Sequence, residues 1–160
     1  MQNDVMSRMT VETTAPAEVL SLENREIQTL SVSRNPSYMP EIGNITLTRT
    51  EDGTRVDLSG AFGEYSAEYG RDAEEAGDLL EQAQTILEAY DVGSWNGFCG
   101  SSSGVLDGES FELTVEFTDG TRLLASGTNS FPKNYTKVTS ELWELIEPAR
   151  KQWREDAIRR

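Results

Sequence analysis

The sequence predicts an α+β domain, an antiparallel sheet of about five to six strands covered on one face by two helices. Three observations carry this. Alternating apolar and polar residues flank Asp52-Gly53 and again Asp119-Gly120, an offset of 67 residues. Residues 72–90 carry a clear helical period, and a second helical period closes the chain. At 160 residues the chain suits one domain with a real core.

The elements follow in order. Residues 1–25 have no sustained period and read as a loose arm, leaving 26–160 as the domain. "IQTLSVS" (27–33) alternates, though weakly sided, and "RNPSYMPEIGN" (34–44) reads as a loop. "ITLTRTEDGTRVDLS" reads as a hairpin, with Ile45, Leu47, Val56 and Leu58 on one face and Asp-Gly supplying the positive backbone angles of a tight turn. "FGEYSAEYG" (62–70) is a third strand with Phe62, Tyr65 and Tyr69 available for packing.

Over 72–90, Ala76, Leu79, Leu80, Ala83, Ile86, Leu87 and Tyr90 form an apolar stripe. Asp72 is the expected N-cap, and Glu74, Asp78, Glu81 and Glu88 fall on the opposite face. Residues 91–110 read as a long Gly/Ser loop holding Trp95, Phe98 and Cys99. "FELTVEF" and "TRLLASG" form the second hairpin. A last helix is expected to begin near Thr139 or Ser140, with Pro148 kinking it or starting a new turn. Strand, strand, helix thus occurs twice, a possible pseudo-repeat.

Residues 92–135 also carry a denser pattern: Trp95-Asn96-Gly97-Phe98, then Asp107-Gly108 with Phe111 and Leu113, then Asp119-Gly120, then Gly127, Asn129, Pro132, Asn134 and Tyr135. This resembles a recurrent pattern in a family of small uncharacterised bacterial proteins, many from gut anaerobes. The resemblance implies the same order of elements and brings no activity with it.

Charge narrows the function. The chain has 28 acids, 14 bases and a net charge of −14. Residues 61–95 hold nine of the acids against one base, Arg71, whereas the tail is basic. Such a surface repels phosphate backbones and anionic membranes, so the expected partner is a protein with a basic surface, with no direct nucleic-acid or membrane contact. The acidity also has a plain reading as solubility.

There is no histidine, which removes histidine bases, histidine metal sites and Ser-His or Cys-His pairs together. Cys99 has no basic residue near it in sequence, and "NGFCGSSSG" lacks the lysine of a phosphate-binding loop. No catalytic residue, metal or cofactor is expected. One cysteine excludes an internal disulfide, and the N-terminus lacks a leader's basic start and apolar core, so the expected location is cytoplasmic, or the chain has been trimmed of its leader.

Two surfaces remain as candidates. One is the acidic face Glu74, Asp78, Glu81 and Glu88. The other is the loop aromatics Trp95, Phe98, Phe131 and Tyr135, either plugs over the sheet end or binding anchors. The expected function is non-catalytic binding of a macromolecule, sharpened to an acidic inhibitor or decoy of a nucleic-acid-processing enzyme, such as phage anti-defence proteins provide. The alternatives are a carboxylate- or metal-dependent enzyme and a ligand-binding module of a secreted or cell-surface parent.

Overall fold

The computed structural model describes residues 12–13, 19–36, 42–71, 78–101 and 109–159. Its strands are β1 (Glu12–Thr13), β2 (Ile27–Pro36), β3 (Ile42–Arg49), β4 (Gly53–Gly60), β5 (Gly63–Gly70), β6 (Cys99–Ser101), β7 (Glu109–Phe117) and β8 (Arg122–Thr128). The helices are α1 (Leu79–Ala89), α2 (Tyr135–Leu145) and α3 (Glu147–Arg159), with a 3₁₀ turn at Val92–Trp95. One sheet runs β1-β6-β8-β7-β2-β3-β4-β5.

The α+β class therefore holds, and the details change. The sheet has seven strands of three residues or more, plus the two-residue β1, instead of five or six. It is mixed, because β6 runs parallel to β8 while the other pairs are antiparallel. Three helices, not two, belong to the described fold.

Alternation along the strands builds the core. Leu30 and Val32 of β2, Ile45 and Leu47 of β3, Val56 and Leu58 of β4, Leu113 and Val115 of β7, and Leu123 of β8 are all buried on the helix side. Ile45 lies opposite Leu58 and Leu47 opposite Val56. The weak sidedness of 27–33 has a local cause. A register shift between Ile27 and Thr29 inserts one residue, so Ile27 and Leu30, three apart, both face the core.

The two Asp-Gly turns differ. In the second, Gly120 has φ 89°, its N–H donates to the Phe117 carbonyl (2.9 Å), and Phe117 N–H donates to the Thr121 carbonyl (2.8 Å). That is a turn closed by a glycine bulge, which needs the left-handed region. In the first, neither Asp52 nor Gly53 has positive φ. Gly53 is required by space instead, since a Cβ there would sit 2.0 Å from the Tyr69 carbonyl oxygen on β5.

Several other boundaries move. Residues 72–77 lie outside the described residues, and α1 opens at Leu79 with Asp78 as N-cap, its Oδ1 accepting from Glu81 N–H at 3.2 Å. The last helix starts at Tyr135, placing Thr139 inside it, and Ile146 separates it from α3, where Pro148 sits at the second position. Proline has no N–H to contribute to a helix and fits a first turn, where that N–H has no partner. The expected 34–44 loop is shorter, because β2 runs through Pro36 and β3 starts at Ile42. The end of the expected arm packs on the domain, with Leu22 buried and Gln84 Nε2 donating to the Leu22 carbonyl at 3.2 Å. Among the described residues no helix is long and apolar enough to cross a membrane.

Candidate functional site

The four loop aromatics meet at one end of the core. Phe131 stacks on Tyr135 (4.7 Å between centroids), and Phe111 of β7 lies 4.6 Å from Tyr135 and 5.7 Å from Phe131. Phe98 and Trp95 each lie 6.3 Å from this pair, against Phe111 and Tyr135 respectively. The cluster is largely closed: Trp95 is 3% and Tyr135 7% exposed, leaving Phe131, at 38%, as its rim. Trp95 Nε1 donates to the Lys133 carbonyl at 3.1 Å, which satisfies its polar end.

A polar chain backs the aromatics. Tyr135 Oη donates to Glu109 Oε2 (3.3 Å), Arg34 Nε donates to the same oxygen (3.1 Å), and the Arg34 guanidinium lies 5.1 Å over the Trp143 ring. Burial first, and then the Glu109 carboxylate, hold the Tyr135 phenol well above its usual range, with Arg34 opposing. The arrangement closes the sheet end around Trp95 and Tyr135, while Phe98 lines an open depression of about 370 Å³ with Leu113, Leu124 and Ser126. Sequence reasoning missed Phe111, Arg34 and Glu109, because their pairing depends on strands far apart in the chain.

The acidic candidates are divided. Glu74 lies outside the described residues. Asp78 is held at the helix start as the cap, so it is not part of the exposed helix face. Glu81 and Glu88 are exposed on α1, and the neighbouring α2 adds Glu144. Between the helices, a groove of about 420 Å³ is lined by Gln82, Thr85, Ile86, Glu141, Glu144 and Leu145. Tyr90 donates to Glu141, and that bond first, then burial, raises the tyrosine's pKa. The Asp78 carboxylate raises the pKa of Glu81, and Arg49 and Arg71 act against it.

The opposite side of the sheet is not covered by any described helix. It is a field of short polar side chains, including Ser31, Ser33, Asn44, Thr46, Asp57, Ser59, Ser66, Thr114 and Ser126, all exposed or half-buried. They bond across strands: Ser33 Oγ donates to Asn44 Oδ1, and Asn44 Nδ2 to Ser59 Oγ at 3.0 Å. The signal was present in the sequence as Ser and Thr at the polar phase of each strand. Two open depressions lie on or beside this face, of about 740 Å³ beside Cys99 and Arg34 and about 440 Å³ beside Glu64 and Ser66.

Cys99, expected in a loop, lies on β6 and is exposed and free. Among the described residues no three cysteines or carboxylates are grouped to hold a metal ion. Comparison of the chain with protein-family models, with curated proteins and with solved structures finds no match.

Proposed function

We propose that this chain is a non-catalytic binding protein whose partner is a protein with a basic surface. The observation that supports it is the arrangement of charge. Arg25, Arg34, Arg49, Arg55, Arg150, Arg154 and Arg159 are each engaged in an ion pair of 2.6–3.6 Å with an acid of this same chain. Exposed Glu64, Glu68, Glu81, Glu88 and Glu144 have no ion-pair partner among the described residues. In a chain of net charge −14, these five carboxylates are free to meet foreign cations, alongside the exposed bases Arg122, Lys133, Lys137 and Lys151, which make no ion pair among the described residues.

The finer reading is an inhibitor or decoy of a nucleic-acid-processing enzyme. Glu81, Glu88 and Glu144 on the helical layer would lie where that enzyme receives phosphates. The test is capture from a lysate of the source organism by wild type and by a Glu81→Gln/Glu88→Gln/Glu144→Gln variant, followed by competition with duplex DNA. The reading expects a captured basic protein, lost with the variant and displaced by DNA. Equal capture by an equally stable variant would remove the helical acids from the account. Asp78 is left unchanged, because its carboxylate caps α1.

A further inference from the structure

The last strand of the sheet is an unusually open edge. β5 closes the strand order, pairs with β4 over its whole length without a register shift, and has no other strand on its far side among the described residues. Edge strands are normally blunted by shortness, a bulge, a proline or charged side chains. β5 has eight residues, "GEYSAEYG", and of these devices carries only the charges of Glu64 and Glu68.

The register fixes which backbone groups are free. Arg71 N–H donates to the Asp52 carbonyl at 3.0 Å, which makes that pair hydrogen-bonded. Antiparallel pairs alternate, so Tyr69, Ala67 and Tyr65 bond to Thr54, Val56 and Leu58. The N–H and C=O groups of Glu64, Ser66 and Glu68 therefore point away from β4, outward along the edge.

The side chains say what would fit. Glu64, Ser66 and Glu68 stand on the uncovered face, with both glutamates exposed. Tyr65, Ala67 and Tyr69 are half-buried on the helix side, and the two tyrosines pack against the core. A second copy of this chain is a poor match. Antiparallel self-pairing centred on Ser66 would place each Glu64 opposite a Glu68, and like charges directly opposed are destabilising.

We propose that the β5 edge receives an extended basic segment of the partner protein as an added strand. The segment carries Lys or Arg at two positions four residues apart, opposite Glu64 and Glu68, and apolar residues at the alternate positions, beside Tyr65, Ala67 and Tyr69. Main-chain hydrogen bonds from Glu64, Ser66 and Glu68 hold it, and the two carboxylates select its charge. This rests on the reading that the partner is basic, and adds where and in what conformation it is held.

The test uses the full chain and a capped synthetic heptapeptide, Val-Lys-Val-Thr-Val-Lys-Val, in a ¹⁵N NMR titration. The amides of Glu64, Ser66 and Glu68 should shift and exchange at least about tenfold more slowly in a 1:1 complex. A peptide with Glu in place of Lys should bind at least about tenfold more weakly. Ser66→Pro should abolish binding, because the N–H it removes points outward and no bond to β4 is lost. Should Ser66→Pro unfold, Glu64→Lys/Glu68→Lys serves instead, and must reverse the preference between the two peptides. No β5 response at millimolar peptide, or a response confined to Glu81, Glu88 and Glu144, overturns the edge proposal. The second of these outcomes leaves the basic-partner reading standing. A salt-resistant homodimer through β5 would overturn it as well.

Discussion

Asn96, Asn129 and Asn134 explain why the pattern over 95–135 has the form it does. Asn96 Oδ1 accepts from Leu124 N–H (3.1 Å) and ties the 3₁₀ turn to β8, which brings β6 alongside. Asn129 and Asn134 adopt positive φ of 56° and 67°, which asparagine tolerates better than most residues. Asn129 also bonds the Glu109 backbone twice, through its N–H (2.8 Å) and its Oδ1 (3.0 Å). The two Asp-Gly turns make a paired prediction at the same scale. Gly53→Ala should cost about 1–3 kcal/mol, because backbone must move. Gly120→Ala should cost about 1–2 kcal/mol, the penalty of a Cβ in the left-handed region, and Gly120→Asn less. Denaturant midpoints at unchanged m-value measure both. A single residue also sets an alkaline limit. The folded state keeps the Tyr135 phenol neutral, so its contribution is complete below the unfolded value of about 10 and is lost as pH rises beyond it. Tyr135→Phe should flatten the stability profile above pH 10. At the acid end the sign is opposite. The Thr121 N–H first, and Arg25 among the further causes, lower the Asp119 pKa, so its contribution exists above about pH 3.9 and fades below it. Asp119→Asn should make the acid limb shallower.

Among the elements, legibility followed local chemistry. The phase of β3, β4 and β7 could be read because each holds its alternation over at least five residues, and β7 over seven. The stripe of α1 was readable too, but not its start, because Asp72 and Asp78 are equally good caps in sequence. β6 was missed: Cys99-Gly100-Ser101 has no alternation, and its pairing with β8 is imposed by Asn96 and the 3₁₀ turn. The α2–α3 break was half legible from Pro148. Asp78→Ala should cost about 1 kcal/mol through the lost cap, seen as reduced helicity and a lower thermal midpoint. α3 is held by Trp153, fully buried and edge-on to Phe62 at 5.2 Å. Trp153→Ala should cost about 3–5 kcal/mol. Trp153→Phe should cost far less, because Trp153 Nε1 is buried with no partner among the described residues and its removal relieves that penalty.

For the whole molecule, one layer of helices closes one side of the sheet and a polar face is left on the other. The sequence announced the size of the charge and its bias along the chain, but not which charges pair. Pairs such as Arg34–Glu109 and Arg25–Asp119 join residues 75 and 94 positions apart, and only the fold brings them together. With seven arginines engaged internally, the exposed acids of β5, α1 and α2 are the surface that the proposed partner would meet. Self-repulsion at −14 should also make the fold more stable at 0.3 M salt than at 0.02 M, checked by thermal midpoints. The loop aromatics, which looked like a rival site, are mostly consumed in closing the sheet end.

The most direct measurement of the central claim is the affinity for the captured partner as a function of ionic strength. Binding through free carboxylates predicts a Kd that rises at least about tenfold between 0.05 and 0.3 M monovalent salt, mainly through slower association. A Kd that stays constant over that range would contradict it.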